Sequence, residues 1–111
     1  MKYKIKSKIW IEAEGNILLG NGRVSLLNAI EATGSLSKAA KQLGMSYKKA
    51  WSLAQAMNNR AQKPVIEMSI GGKGGGGAIL TSYGKSLIKS FDLINDNCKK
   101  FLEKQLTQSS L

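Results

Sequence analysis

The sequence predicts a mainly α-helical chain with a small amount of β structure: a winged helix-turn-helix preceded by a β-hairpin and followed by a long helix. Three observations carry this expectation. Two amphipathic segments meet at Gly44-Met45-Ser46, a glycine-rich run over 71–77 separates two short strand-like stretches, and most of a +10 net charge sits on those same parts. Two helices joined by a short glycine-containing turn form the helix-turn-helix pattern.

Residues 2–19 alternate as strands do. Ile5, Ser7, Ile9 and Ile11 fall on one face and Lys4, Lys6 and Lys8 on the other, with Glu14-Gly15-Asn16 as the turn and Ile17-Leu18-Leu19 as the return strand. A lysine row of this kind keeps an edge strand from pairing with other chains; contact with phosphates is the alternative. Gly20-Asn21-Gly22 interrupts the chain, and a helix is expected from about Arg23 to Thr33, with Leu26, Leu27 and Ile30 as its apolar side and Gly34 as its end. Leu36, Ala39, Ala40 and Leu43 make the stripe of a second helix. Gly44 then takes a left-handed turn position, and Ser46 caps a third helix over about 47–61.

Pro64 closes that helix. Val65 to Ile70 and Ala78-Ile79-Leu80 read as the strands of a hairpin, and Thr81 or Ser82 caps a last helix running to about Gln105. One domain is expected, made of a hairpin (1–19), a helix-turn-helix with its wing (20–81) and a C-terminal helix (82–106). A chain of 111 residues leaves room for one modest core.

Seventeen Lys and Arg against seven Asp and Glu make a polyanion the expected partner, nucleic acid first and an anionic membrane second. Lys38, Lys41, Lys48, Lys49, Arg60, Lys63 and Lys73 share their stretch with a single acid, Glu67. With one cysteine and no histidine there is neither an intrachain disulfide nor a Cys/His zinc site. No nucleophile–base set is evident, so neither enzymatic activity nor a cofactor is expected. No apolar run approaches the roughly eighteen residues of a membrane helix, and a cytoplasmic location is the expectation.

The third helix is the most informative segment. Ala50, Leu53, Ala54, Met57 and Ala61 gather on one side and should be buried, whereas Lys48, Ser52, Gln55 and Asn59 lie opposite, flanked by Lys49. In a helix-turn-helix the second helix enters the major groove with its N-terminal residues nearest the bases. Lysine can donate to guanine and glutamine can pair with adenine. The candidate DNA contacts are therefore Ser35, Ser37 and Lys38 at the preceding helix, Ser46, Tyr47, Lys48, Lys49, Ser52, Gln55 and Asn59 here, and Lys73, Gly74 and Gly75 in the wing. A solvated helix face would carry similar residues. Tyr47 and Trp51 lie beside the face, and partly buried rings anchoring the helix are the favoured reading. Stacking on nucleic acid, or a phenol or indole N–H contact to a phosphate, is the alternative.

Gly72-x-Gly74-x-x-Gly77 formally matches the dinucleotide fingerprint, but that pattern must open a helix, and a strand follows here. As a wing, the run presents bare N–H groups and Lys73 to phosphates or a minor groove; a plain hairpin tip is the other reading. In the last helix Leu87, Phe91, Ile94, Cys98 and Phe101 form a heptad seam, widened by Ile88, Leu102 and Leu106. Leu87, Phe91, Ile94, Cys98, Phe101 and Leu102 are the candidate dimerisation residues, with packing inside one chain as the alternative. Cys98 reads as a small buried hydrophobe, and Asp92 and Asp96 as surface ion-pair partners of Lys89, Lys99 and Lys100.

At Gly34-Ser35-Leu36-Ser37-Lys38-Ala39-Ala40, Ser46-Tyr47-Lys48-Lys49-Ala50-Trp51 and Gly71 to Thr81 the sequence resembles the DNA-binding domain of the ModE family of molybdate-responsive regulators; the first block is shared with LysR-type regulators. Met57-Asn58 and Tyr83-Gly84 extend the match, which covers about residues 20–105. The resemblance implies a winged helix-turn-helix homodimer on a palindromic operator, with the DNA helix at 46–59, the wing at 71–77 and the final helix contributing to dimerisation. Full-length members carry C-terminal molybdate-binding domains. No molybdate-binding domain is expected in this chain, which stops at Leu111, and molybdate sensing in cis is not carried over. The function expected is a sequence-specific, double-stranded DNA-binding transcriptional regulator. An architectural nucleic-acid-binding protein, or a DNA-binding subunit served by a separate ligand-sensing partner, are the alternatives.

Overall fold

A computed structural model of the chain describes residues 2–69 and 77–111. The elements run β1 (Trp10–Ala13), β2 (Asn16–Gly20), α1 (Asn21–Thr33), α2 (Leu36–Gln42), α3 (Tyr47–Arg60), β3 (Ile66–Met68), β4 (Ala78–Leu80) and α4 (Ser82–Gln108). Strands β1 and β2 form one antiparallel hairpin and β3 and β4 another, the latter pairing Ile66 with Leu80 and Met68 with Ala78.

The first strand is shorter than the alternation predicts. Pairing begins at Trp10, opposite Gly20, and residues 2–9 belong to no strand. The reason is the length of the return strand: β2 passes directly into α1 at Asn21, so no backbone remains to pair with residues before Trp10. The two faces persist from Ser7 onward, where Ser7, Ile9, Ile11 and Ala13 are half-buried and Lys8, Trp10 and Glu12 are exposed. Ile5, expected on the inner face, is 40% exposed. The turn uses left-handed backbone at Glu14 (φ 52°) and Gly15 (φ 83°), as a tight hairpin with matching strand twist requires.

Helix starts and stops follow local chemistry. Ser35 Oγ accepts the Lys38 N–H at 3.1 Å, Ser46 Oγ the Lys49 N–H at 3.1 Å, and Thr81 Oγ1 the Gly84 N–H at 2.9 Å. Each satisfies a donor that the first helical turn leaves without a partner. Gly34 (φ 70°) ends α1 by donating to the Ile30 carbonyl at 2.7 Å, and Gly44 (φ 67°) makes the turn between α2 and α3.

One core collects Leu19 of β2, Leu26, Leu27 and Ile30 of α1, Ala39 and Ala40 of α2, Ala50, Ala54 and Met57 of α3, Val65, and Phe91 of α4. Burying each large side chain stabilises by about 1.5–3 kcal/mol. Helix α4 divides its loyalty. Its first half enters the core through Gly84 and Phe91, with Leu87 and Ile88 packed against it. Beyond Phe91 it exposes Leu93 (62%), Ile94 (51%) and Phe101 (59%). A groove of about 580 Å³ lies between its distal half and the N-terminal segment, bordered by Tyr3, Ile5, Leu102 and Leu106.

Two expectations for α4 are corrected. Cys98 is half-buried rather than buried, because it lies where the helix has left the core. The surface pairs of Asp92 and Asp96 do not form; among the described residues the ion pair within 4.0 Å is Lys85 to Glu31 at 3.6 Å. Exposed lysines gain too little from one fixed geometry to hold it.

The start of α4 is pinned beneath β3. The Thr81 hydroxyl donates to the Pro64 carbonyl at 2.7 Å, and the Thr81 N–H to the Val65 carbonyl at 3.0 Å. A Cβ at Gly84 would overlap the Val65 carbonyl oxygen and press on Val65 Cγ1 at 3.2 Å. Gly84→Ala is expected to destabilise the chain by at least about 2 kcal/mol through overpacking. Thermal unfolding measures this, and a variant that melts with the wild type would show that the helix can move away without cost.

Candidate nucleic-acid interface

Helix α3 separates its residues as its periodicity predicts. Ala50, Ala54 and Met57 are fully buried, and Leu53 and Ala61 are half-buried against the same core. Ser46, Lys48, Lys49, Ser52 and Asn59 are exposed, and Gln55 is half-buried. Ser37 and Lys38 are exposed on the first turn of α2. Ser35 and Ser46 have their oxygens engaged as caps, so each keeps its hydroxyl hydrogen for another partner. Lys73, Gly74 and Gly75 lie outside the described residues.

The aromatic pair differs from the favoured reading. Tyr47 is 56% exposed and Trp51 46%, more open than the partly buried rings expected. The side of α3 that meets the core is filled by Ala50, Ala54 and Met57, and the two rings stand on the flank beside it.

On the same flank of α3, two turns beyond Trp51, stands a residue that pattern reading took only as part of a resemblance. Asn58 Oδ1 accepts the Val65 N–H at 2.8 Å and the Ile66 N–H at 3.0 Å, and Nδ2 donates to the Ile66 carbonyl at 2.9 Å. One side chain thus joins α3 to the stem of the second hairpin. That stem has another tie. The Ala78 N–H donates to the Gly34 carbonyl at 3.0 Å, and Ser69 closes the pair with Gly77 by accepting the Gly77 N–H at 3.0 Å. The hairpin is therefore tied to both α3 and the turn that opens α2. A signal existed for Asn58: it is polar, yet it borders the apolar stripe of α3 a few residues before Pro64.

The basic residues are not equivalent. Lys38, Lys41, Lys48 and Lys49 are exposed, with no ion-pair partner among the described residues. Lys63 lies 5.9 Å from the Tyr83 ring centroid. Arg60 is drawn to the hairpin, donating to the Ile17 carbonyl at 2.7 Å. Burial first, and the Arg60 charge second, hold the Arg23 guanidinium below its ordinary pKa. Among the described residues no group of three or more His, Cys, Asp or Glu could hold a metal ion, and no helix is long and apolar enough to cross a membrane.

Along the proposed seam of α4, Phe91 is buried, Leu87, Cys98 and Leu102 are half-buried, and Ile94 and Phe101 are exposed. The seam therefore runs from the core out to the surface.

A capped helix presenting a polar face, preceded by a short helix and a glycine turn and flanked by a hairpin, defines a winged helix-turn-helix protein. The fold is shared with the S. aureus MepR G34K mutant at a TM-score of 0.63 and 18% identity, over 78% of this chain and 65% of that one. No protein-family model matches the chain. In sequence the chain is similar to proteins named ModE and MopB. It is 49% identical over 72 residues to the DNA-binding transcriptional dual regulator ModE of Escherichia coli K12, covering 65% of this chain and 28% of that protein. It is also 49% identical over 84 residues to the molybdenum-pterin-binding protein MopB of Rhodobacter capsulatus, covering 76% of this chain and 31% of that protein. The chain thus spans less than a third of the length of these relatives.

Asn58→Ala should leave two N–H groups at the buried Val65–Ile66 step without an acceptor, at a cost of about 2–3 kcal/mol. Denaturant unfolding tests this, with hydrogen exchange at Val65 and Ile66 as a local readout. Exchange there as slow as in the wild type would refute the assigned link.

Proposed function

We propose that this chain is a transcriptional regulator that binds double-stranded DNA sequence-specifically as a homodimer, and that it works by binding rather than catalysis. The observation that carries the reading is the outer face of α3, where Lys48, Lys49, Ser52 and Asn59 stand exposed around Gln55 on a helix held by its opposite side. In this reading the whole chain acts as one DNA-binding domain, α3 lies in the major groove, and Lys48, Ser52 and Gln55 meet base edges. Ser35, Ser37, Lys38, Ser46, Tyr47, Lys49 and Asn59 contact the flanking backbone, and the wing lies along it with Lys73, Gly74 and Gly75.

The dimer is supported by the distal half of α4. An apolar strip that includes Ile94 and Phe101, continuous with half-buried Cys98 and Leu102, suits a second copy related by a two-fold axis. Two such copies present two recognition helices to successive major grooves, about 34–36 Å apart.

Selection of duplexes from a random pool should enrich an inverted repeat with half-sites about one helical turn apart. Lys49→Ala should weaken binding to all sequences and lower the slope of log K against log salt by about one. Ser52→Ala or Gln55→Ala should change base preference in the half-site while leaving that slope in place. No duplex bound at low salt would sink the reading; salt-sensitive binding with no enriched sequence would reduce it to an architectural role.

The Phe101→Asp variant should sediment as a monomer and bind the selected repeat at least about a hundredfold more weakly, because the second half-site no longer acts as an intramolecular ligand. A dimeric Phe101→Asp protein would remove α4 from the proposed interface.

A further inference from the structure

We propose that Trp51 and Tyr47 form a neutral clamp on the single sugar–phosphate strand that separates the groove occupied by α3 from the groove beside the wing. The inference rests on the DNA-binding reading above and adds to it a site of a different chemistry from the lysines.

The core does not use these rings. Its contact with α3 is made by Ala50, Ala54 and Met57, while Trp51 and Tyr47 leave about half of their surface in water. Nor does the fold use their polar ends: neither the Trp51 Nε1–H nor the Tyr47 hydroxyl has a hydrogen-bond partner among the described residues. Trp10 makes the contrast. It is equally exposed, at 50%, but its Nε1–H donates to Glu12 Oε2 at 3.0 Å within its own hairpin.

Their direction follows from Asn58. At about 100° per residue, Tyr47, Trp51 and Asn58 fall within about 40° of one another, roughly a quarter turn from the centre of the face formed by Lys48, Ser52, Gln55 and Asn59. Asn58 holds the backbone of Val65 and Ile66, so this flank is the one turned toward the wing stem. Trp51 stands two turns before Asn58 on that flank, about 10 Å along the axis. A duplex that receives α3 in one groove and the wing beside the next has one strand between them, and that strand crosses this flank. Indole N–H and phenol O–H groups donate to phosphate oxygens, and the ring bodies pack on deoxyribose. Neither side chain carries charge, so neither displaces a counterion.

That last property gives the clamp its own signature. A lost lysine contact weakens all sequences and flattens the salt dependence. A lost base contact changes sequence preference. A lost neutral clamp weakens all sequences equally and leaves the salt slope unchanged. Trp51→Phe and Tyr47→Phe remove the donors and keep most of the ring surface. Each is expected to weaken both the tightest selected duplex and an unrelated duplex by the same factor, about five- to tenfold, with an unaltered salt slope and an unaltered melting temperature. A neutral methylphosphonate placed at each phosphate in turn should reveal one position per half-site where the wild type loses that factor and Trp51→Phe loses nothing further.

Wild-type binding with unchanged affinity in both variants overturns the clamp alone. So does a loss confined to the selected sequence, or a flattened slope. Failure of the wild type to bind any duplex at low salt overturns the clamp together with the reading beneath it.

Discussion

The buried side of α3 is made by Ala50, Ala54 and Met57, and the rest of the molecule is arranged around that constraint. Ala50 and Ala54 are fully buried and share one cluster with Ala39 and Ala40 of α2 and with Leu26, Leu27 and Ile30 of α1. Small side chains let helices approach closely, and close packing tolerates little rotation. With the inner side held so tightly, the orientation of every outer residue is settled as well: Lys48, Ser52 and Asn59 point away from the core, and Tyr47 and Trp51 overhang its edge. A larger residue at 50 or 54 would shift the helix and turn the whole outer face with it.

The second hairpin depends on the same placement. Its strands are three residues each, too short to hold a position unaided. Asn58 on α3 and the Gly34 carbonyl at the turn before α2 supply the missing anchorage, together with the Thr81 contacts beneath Pro64 and Val65. The hairpin is thus referred to the helix-turn-helix by hydrogen bonds at fixed distances, as the proposed contact with two adjacent grooves would require. Charge is sorted in the same way. Arg60 is committed to the Ile17 carbonyl, whereas the lysines of α2 and the start of α3 are left to solvent.

Helix α4 serves two masters. Gly84 and Phe91 fasten its beginning to the core, and the remainder carries Leu93, Ile94 and Phe101 into solvent. At about 1.5 Å per residue its 27 residues span about 40 Å, more than the core can cover. Ile94 and Phe101, which share one side of the distal half, are costly to leave in water, which is the physical motive for the two-fold pairing proposed.

The sequence by itself determined the order of elements, Ser46 as the cap of α3, Gly34 as the end of α1, the left-handed turn at Gly44, and which side of α3 is buried. These are local properties: hydrogen bonds within one helical turn, backbone sterics and a 3.6-residue period. It therefore yielded the winged helix-turn-helix class and the outward-facing residues of α3. Only the tertiary structure decided the rest, since each remaining feature depends on residues distant in the chain. The first strand stops at Trp10 because β2 runs out. The rings of Tyr47 and Trp51 stay outside because the core takes Ala50, Ala54 and Met57 from that helix. Arg60 leaves the basic face because Ile17 offers it a carbonyl, and Asn58 becomes the link to the wing because Val65 and Ile66 return to it. Periodicity places a side chain on a face, but what that face meets is settled by packing.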